Sequence, residues 1–196
     1  DRLGEPNKDI LEENLATAEN GEAAVTFSSG MAAIAAVFGI LTGSGDEIVA
    51  HWMLYGSTYS LVKNWFPRYR IGIHWVDFLD PDCLRRCLTP RTKVVYFESP
   101  VNPSMQVIDI EKIVEVVKAE NRKRPPKNRM SLVIDNTFAT PFCQRPLEMG
   151  VDFVVHSLTK GICGYGTDMG GAIITARKHY DHLLQYRKDF GGVLAP

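Results

Sequence analysis

The sequence lacks the features that mark several common classes of protein. Its 196 residues carry a net charge of −1, which gives no support for a nucleic-acid partner. No apolar run is long enough to span a bilayer, so no membrane partner is expected. The four cysteines form no CxxC pair and no cluster with histidine. We therefore expect no metal site, and a reducing, cytoplasmic setting.

What is present is a globular composition in which strand and helix patterns alternate. With 45% hydrophobic residues, the chain can form one α/β domain with a sizeable core. Apolar runs predict strands at Ala23–Phe27, Glu47–His51, Ile71–Val76, Lys93–Phe97, Ser131–Ile134, Val151–Val155 and Gly171–Thr175. Helical patterns lie at Asn7–Glu19, Met31–Leu41, Ser57–Trp65, Pro81–Leu88, Ile110–Ala119 and Ala176–Phe190. The alternation predicts a mostly parallel sheet covered by helices on both faces.

A basic segment at residues 121–129 interrupts this alternation, and Pro125 and Pro126 end the helix before it. The segment could be an anion or nucleic-acid patch, or a solvated connection between helix and strand. The balanced overall charge and the absence of interleaved aromatic residues favour the solvated connection.

Two reactive side chains follow predicted strands. Asp135 comes directly after Leu132-Val133-Ile134, and Lys160 ends the run His156-Ser157-Leu158-Thr159-Lys160. Ligands of open α/β sheets bind outside the carboxyl ends of the strands. An amine and a carboxylate at this edge suit pyridoxal phosphate (PLP), which has an aldehyde to condense and a ring nitrogen to protonate. Without a cofactor, Asp135 can cap a turn and Lys160 can extend into water.

Other strand ends carry residues that suit an anion. Ser29-Gly30-Met31 opens an apolar helix, whose N-terminal amides can bind a phosphate. Ser29 can cap that helix whether or not an anion is bound. The hydroxyls of Ser157 and Thr159 can donate to a phosphate or act as caps in the same way.

An aromatic and an amide side chain follow two further strands. Tyr55 can stack on a planar cofactor ring, or pack half-buried beneath a loop. Asn102, in the turn 98–103, can face a ligand or form an Asx-turn without one. The glycine-rich stretch 164–171 does not open a helix after a strand, which argues against a nicotinamide cofactor.

Taken in order, these segments resemble the cystathionine-γ-synthase-like family of fold-type I PLP enzymes, which act on sulfur amino acids. The resemblance covers nearly the whole chain. The ordered motifs are Ser28-Ser29-Gly30-Met31, Leu54-Tyr55-Gly56, Glu98-Ser99-Pro100-Val101-Asn102-Pro103, Val133 to Pro141, Gln144-Arg145-Pro146-Leu147-Glu148 and His156 to Lys160.

The resemblance implies a role for each matching residue. Lys160 would form the Schiff base with PLP and shuttle protons, and Asp135 would keep the pyridine nitrogen protonated. Tyr55 would stack on the ring and assist proton transfer. Asn102 would lie near the cofactor hydroxyl and the substrate carboxylate. The phosphate would be bound by Gly30, Met31, Ser157 and Thr159.

The resemblance also implies an assembly and a longer protein. Arg2 matches the arginine of a family Tyr-x-Arg motif that reaches the cofactor phosphate of a neighbouring subunit. We therefore expect a homo-oligomer, a dimer of dimers. Residues 1–196 would be the PLP-binding large domain, a fragment without its N-terminal arm and C-terminal small domain. The arginine that binds the substrate carboxylate would lie outside this chain.

The expected activity is γ-elimination or γ-replacement at Cγ of a homoserine- or homocysteine-derived substrate, similar to cystathionine or methionine γ-lyase. The alternatives are an O-acetylhomoserine sulfhydrylase, a cystathionine γ-synthase, or a non-catalytic relative. Gly161 and Tyr165 depart from the usual family residues, and Ser57 stands where methionine γ-lyases commonly carry cysteine. The choice between elimination and replacement stays open at this point.

Overall fold

Strands and helices alternate along residues 4–195, the part of the chain that the computed structural model describes. The strands are β1 Ala23–Phe27, β2 Glu47–His51, β3 Gly72–Val76, β4 Thr92–Glu98, β5 Ser131–Asp135, β6 Phe153–Ser157 and β7 Gly171–Thr175. The α-helices are α1 Pro6–Ala18, α2 Gly30–Leu41, α3 Gly56–Ser60, α4 Pro81–Cys87, α5 Ile110–Asn121, α6 Thr140–Cys143, α7 Pro146–Met149 and α8 Tyr180–Phe190. The predicted α/β class is confirmed: a mostly parallel seven-stranded sheet with helices.

Two predicted helices differ from the observed ones. The pattern at Ser57–Trp65 does not form one α-helix, because α3 continues as a π-helix at Leu61–Trp65 and a 3₁₀-helix at Phe66–Tyr69. Pro67 lies inside the 3₁₀ segment, where a proline without an amide hydrogen cannot continue an α-helix. In the C-terminal region, the α-helix α8 begins at Tyr180, after a short 3₁₀ turn.

The described chain divides into two compact units, and the second comprises residues 41–135 and 149–151. Its strands have the order β5-β4-β2-β3, and neighbouring strands run parallel. Strands β2 and β4 are buried almost throughout, as expected for a parallel sheet. The carboxyl ends of β2, β4 and β5 therefore lie along one edge of this unit.

The first unit contains residues 4–40, 136–148 and 152–195 of the described part. Its strands have the order β1-β7-β6, and β7 runs antiparallel to both neighbours. The carboxyl ends of β1 and β6 therefore lie at the same edge as the start of β7. Gly171, the first residue of β7, pairs with Phe27 on one side and Ser157 on the other.

A buried ion pair joins the helices of the first unit to its outer strand. Arg187 of α8 donates to Oε1 of Glu12 in α1 at 2.6 Å, and to the carbonyl of Thr26 in β1 at 3.1 Å. Both the amide and the hydroxyl of Thr26 also donate to Oε1 of Glu12. These hydrogen bonds satisfy charges that would otherwise be costly to bury.

The basic segment 121–129 is less solvated than the sequence predicts. Helix α5 continues to Asn121, and residues 126–128 form a 3₁₀ turn. Arg124 is buried and donates to the carbonyls of Thr92 at 2.9 Å and Thr89 at 2.7 Å. Most residues of the segment are exposed, as predicted, and Arg124 is the exception that joins the segment to the start of β4.

Candidate active site

The first turn of α2 lies against the end of β6. A side chain at Gly30 would place its Cβ 2.8 Å from Cβ of Ser157 and 3.1 Å from its hydroxyl oxygen. A Cβ at Gly171 would lie only 2.1 Å from the carbonyl oxygen of Ser29. Two glycines therefore allow the turn 28–30 to approach both strands. Ser29 caps the helix, because its hydroxyl accepts from the amide of Ala32 at 3.1 Å.

Lys160 stands at the end of the turn that follows β6. Its side chain is exposed, and its amide donates to the carbonyl of Ser157 at 3.2 Å. The hydroxyl of Thr159 accepts from the amide of Gly170 at 3.1 Å and donates to the Gly170 carbonyl at 3.3 Å. The Thr159 hydroxyl thus holds the end of the glycine-rich stretch 164–171. Such a capping role was one of the two alternatives predicted for it from the sequence.

A buried polar network supports this strand end from inside the first unit. Nε2 of His156 lies 2.5 Å from Oε1 of Glu19, and both side chains are completely buried. Asn136 donates to the same Glu19 oxygen at 2.8 Å and accepts from Gln144 at 2.8 Å. These buried hydrogen bonds join His156 and Asn136 to one carboxyl oxygen of Glu19. They therefore hold His156, the residue before Ser157, in place.

In the second unit, Glu98 holds two of the predicted site residues. Glu98 is the last residue of β4 and is buried. Its Oε1 accepts from the amide of Tyr55 at 2.8 Å, and its Oε2 accepts from the amide of Asn102 at 3.1 Å. Tyr55 is 42% exposed, and Asn102 is half-buried.

Asp135 ends β5 beside Glu98, since the two residues are partners in the parallel register. Burial and, to a smaller extent, the neighbouring Asp135 carboxylate together raise the pKa of Glu98 to about 8. Burial also raises the pKa of Tyr96 well above its usual value, and Asp135 adds to that shift. The carboxyl edge of β4 and β5 therefore favours binding of a positive charge.

Each unit thus brings together its own share of the predicted residues. Gly30, Met31, Ser157, Thr159 and Lys160 lie around the ends of β1 and β6. In the second unit, the residues that follow or end its strands are Tyr55, Asn102 and Asp135.

One predicted residue, Arg2, lies outside the described residues. No role was predicted for Glu98, although it belongs to one of the motifs quoted above, or for the buried Glu19–His156 pair. A histidine within an otherwise apolar strand was the available signal for that pair. Within residues 4–195, no group of three or more His, Cys, Asp or Glu side chains could hold a metal ion.

Each unit presents groups that suit a part of PLP. The amino end of the 12-residue helix α2 provides amides and a positive dipole for a phosphate. Gly30 itself places no side chain against the Ser157 hydroxyl. The exposed Lys160 amine suits an aldehyde, and the Asp135 carboxylate suits a protonated ring nitrogen.

The α/β fold and these strand-end groups define a class of protein that binds a phosphate-bearing cofactor at the carboxyl ends of its strands. Comparison with known proteins gives the family. The family model described as Cys/Met metabolism PLP-dependent enzyme matches residues 1–196, and the chain belongs to this family. The resemblance inferred from the sequence is therefore confirmed, and so is the family's dependence on PLP.

Several relatives agree with this assignment. The chain is 39% identical over its whole length to a cystathionine γ-synthase/O-acetylhomoserine (thiol)-lyase of Bacillus subtilis, and covers 50% of that protein. It is 40% identical to an L-methionine γ-lyase of Pseudomonas deceptionensis, over 100% of this chain and 48% of the relative. The chain thus spans about half the length of the curated relatives it matches.

Solved structures show the same fold. A cystathionine γ-lyase from Lactobacillus plantarum, in complex with L-serine, superposes with a TM-score of 0.92 at 33% identity, over 100% of this chain and 49% of that one. The structure of metB from Corynebacterium glutamicum gives a TM-score of 0.92 at 32% identity, over 98% of this chain and 48% of that one. No helix in the described part of the chain is long and apolar enough to cross a membrane.

Proposed function

We propose that the protein containing this chain is a PLP-dependent enzyme of sulfur amino-acid metabolism. It acts at Cγ of a small homoserine- or homocysteine-derived amino acid, by γ-elimination or γ-replacement. The observation that carries this proposal is the family match over residues 1–196, in a chain that presents an exposed Lys160 after β6. Several matching relatives are named L-methionine γ-lyase, which favours γ-elimination.

Each side chain of the proposed site has a separate role. PLP, when bound, supplies a ring that stabilises negative charge on substrate carbons. Lys160 would hold PLP by its aldehyde through Nζ, and the same atom would carry a proton. Asp135 would accept the hydrogen bond of the pyridine nitrogen, and Tyr55 would stack on the ring and hold a proton on its hydroxyl. Asn102 orients the substrate carboxylate.

The phosphate is bound at the amino end of α2. The backbone amides of Gly30 and Met31 point along the helix axis, where the helix dipole favours an anion. Ser157 adds a hydroxyl donor from the neighbouring strand end, and Thr159 adds a second when its hydroxyl exchanges the Gly170 carbonyl for the phosphate. Support for this set comes from the contact that a Gly30 Cβ would make with Ser157.

A γ-replacement activity is the second candidate. It is favoured by the Bacillus subtilis relative, whose name combines cystathionine γ-synthase with O-acetylhomoserine (thiol)-lyase, at 39% identity. The products distinguish the two reactions. Ammonia and a 2-oxo acid indicate a lyase, whereas homocysteine formed from an activated homoserine and sulfide indicates a replacement enzyme.

We also propose a homo-oligomer, a dimer of dimers, in which Arg2 reaches the phosphate bound by a neighbouring subunit. Residues 1–196 form its PLP-binding large domain, and the protein works in the cytoplasm. Large apolar side chains at the surface support a second copy, since Phe142 is 96% exposed and Tyr165 is 91% exposed. Light scattering after size-exclusion chromatography measures the number of subunits.

The decisive test uses the full-length protein and its cofactor absorption band. We expect wild type purified with PLP to show the visible band of a lysine Schiff base, and Lys160→Ala to lack it and to lose turnover. Lys178→Ala is the matched control, because Lys178 is an exposed lysine in a 3₁₀ turn after β7. A band that is absent from wild type, or unchanged in Lys160→Ala, contradicts the proposal.

A further inference from the structure

We propose that Glu98 is a positioning residue for Tyr55 and Asn102, fixing the two loops that carry them through a single buried carboxyl group. This inference rests on the proposed function, in which Tyr55 and Asn102 contact the cofactor or the substrate. Glu98 itself acts through the backbone of these two residues.

The geometry links two segments that are distant in the sequence. Tyr55 lies 43 residues before Glu98 and Asn102 lies four after it. Each carboxyl oxygen accepts one backbone amide, at 2.8 Å from Tyr55 and at 3.1 Å from Asn102. Since Glu98 is only 4% exposed, water cannot readily replace either hydrogen bond. The two loops therefore share one rigid acceptor.

The side chain has to be a carboxyl group for this purpose. Two amide donors need an acceptor on each oxygen, and a carboxyl group keeps a lone pair on both oxygens whether it is ionised or protonated. A glutamine would turn an NH₂ group towards one of the amides, and an apolar residue would leave both amides without a partner. The two amide donors therefore require a carboxyl group at position 98.

Packing alone would not place this residue here. A buried carboxyl beside Asp135 is costly, because burial and the second carboxylate both oppose its charge. The preceding strand residues Tyr96 and Phe97 are completely buried and fill the core without such a cost. The hydrogen bonds of Glu98 to the backbones of Tyr55 and Asn102 explain why a carboxyl group is buried here in spite of this cost.

A second contact keeps the rest of the Tyr55 loop in place. Tyr96 precedes Glu98 by two positions, so both side chains lie on one face of β4. Tyr96 interacts with Thr58, which is completely buried in α3. Loss of the Glu98 contact should therefore release the Tyr55 backbone without detaching α3.

The first arm of the test needs no cofactor. Hydrogen–deuterium exchange is measured on cofactor-free, full-length wild type, Glu98→Gln and a control, Glu47→Gln. Glu47 is a buried carboxyl of the same unit. It lies at the amino end of β2, whereas Tyr55 follows the carboxyl end of that strand. We expect Glu98→Gln to speed exchange about tenfold in peptides covering 53–59 and 100–105, as the loss of one buried hydrogen bond predicts. The control should leave those peptides unchanged.

The second arm uses the loaded enzyme. We expect Glu98→Gln to keep the Schiff-base band of Lys160, while kcat falls about tenfold or more relative to Glu47→Gln. If Glu98→Gln does not fold, Glu98→Asp takes its place, since it keeps the carboxyl group but is one methylene too short to reach both amides. The same increase in exchange and the same loss of kcat are expected.

The outcomes separate the inference from the proposed function. Unchanged exchange at 53–59 and 100–105, or a kcat equal to that of the control, overturns the role of Glu98. A variant that loses stability alone, with normal exchange in both peptides, overturns it as well. Absence of a Schiff-base band in wild type refutes the proposed function instead, and leaves the exchange result to decide whether Glu98 fixes the two loops.

Discussion

Replacing Gly30 with alanine tests the contact on which the phosphate site depends. The added Cβ would lie 2.8 Å from Cβ of Ser157 and 3.0 Å from its Cα. The first distance is shorter than non-bonded carbon atoms adopt, and the second involves the backbone of β6, which cannot rotate away. Either α2 or the end of β6 must therefore move.

The magnitude follows from two opposing effects. Overpacking a close contact costs roughly 1–3 kcal/mol. Alanine is a better helix residue than glycine by about 0.5–1 kcal/mol, which offsets part of that cost. We expect Gly30→Ala to lower the free energy of unfolding by about 1–2 kcal/mol, and the melting temperature by roughly 2–8 °C.

The same displacement moves the first turn of α2 away from the Ser157 hydroxyl. Since an anion at a helix N-terminus depends on several donors at once, we expect the affinity for PLP to fall about tenfold. Urea unfolding of the cofactor-free, full-length protein measures the first effect, and titration with PLP measures the second.

Gly43→Ala is the matched control for this experiment. A Cβ at Gly43 would meet its nearest atom, Oδ2 of Asp46, at 3.7 Å, which is an ordinary contact. The control should therefore keep wild-type stability and PLP affinity. If Gly30→Ala unfolds at the same urea concentration as Gly43→Ala and binds PLP equally well, the close approach of α2 to Ser157 is refuted.

Two further predictions concern buried charges. Arg187→Ala leaves Glu12 buried without its cation, so we expect the free energy of unfolding in urea to fall by about 3–5 kcal/mol. The double variant Glu12→Gln/Arg187→Met should lose much less, and equal losses would contradict the pairing. The pKa of Glu98, raised to about 8 in the folded protein, lies above that of an unfolded carboxyl, so its contribution to stability is present at low pH and is lost as the pH rises through 8. Between pH 5 and 8 we expect the unfolding free energy of cofactor-free wild type to fall relative to Glu98→Gln, by up to about 1.4 kcal/mol per pH unit; parallel pH profiles would refute the shift.

The strands were the most predictable elements. Ala23–Phe27, Glu47–His51 and Gly171–Thr175 have the predicted bounds, because short apolar runs between turn residues are nearly always buried strands in an α/β protein. The helix predicted at Ser57–Trp65 failed for a local reason. Its apolar spacing fits a helix, but periodicity does not distinguish an α-helix from the π- and 3₁₀-segments that follow Ser60.

Buried charges were the least predictable feature. Asn136 and Glu19 are 117 residues apart, and His156 and Glu19 are 137 apart. A sequence shows that these side chains are polar, but their partners are fixed only when the strands are in register. Arg124 shows the same limit, because its acceptors are backbone carbonyls of Thr89 and Thr92. Every residue has a backbone carbonyl, so the residue types in a sequence do not show which carbonyls will accept a hydrogen bond.

That difference explains why Lys160 was predicted from the sequence and Glu98 was not given a role. The proposed chemistry of Lys160 belongs to its own side chain, since only an amine can condense with an aldehyde. Glu98 binds backbone amides of Tyr55 and Asn102, and any two residues at those positions would offer the same donors. What selects Glu98 is the position of two loops beside the end of β4. Residues that position a site through its backbone are therefore found from the hydrogen bonds of the fold, and residues that perform its chemistry from their type.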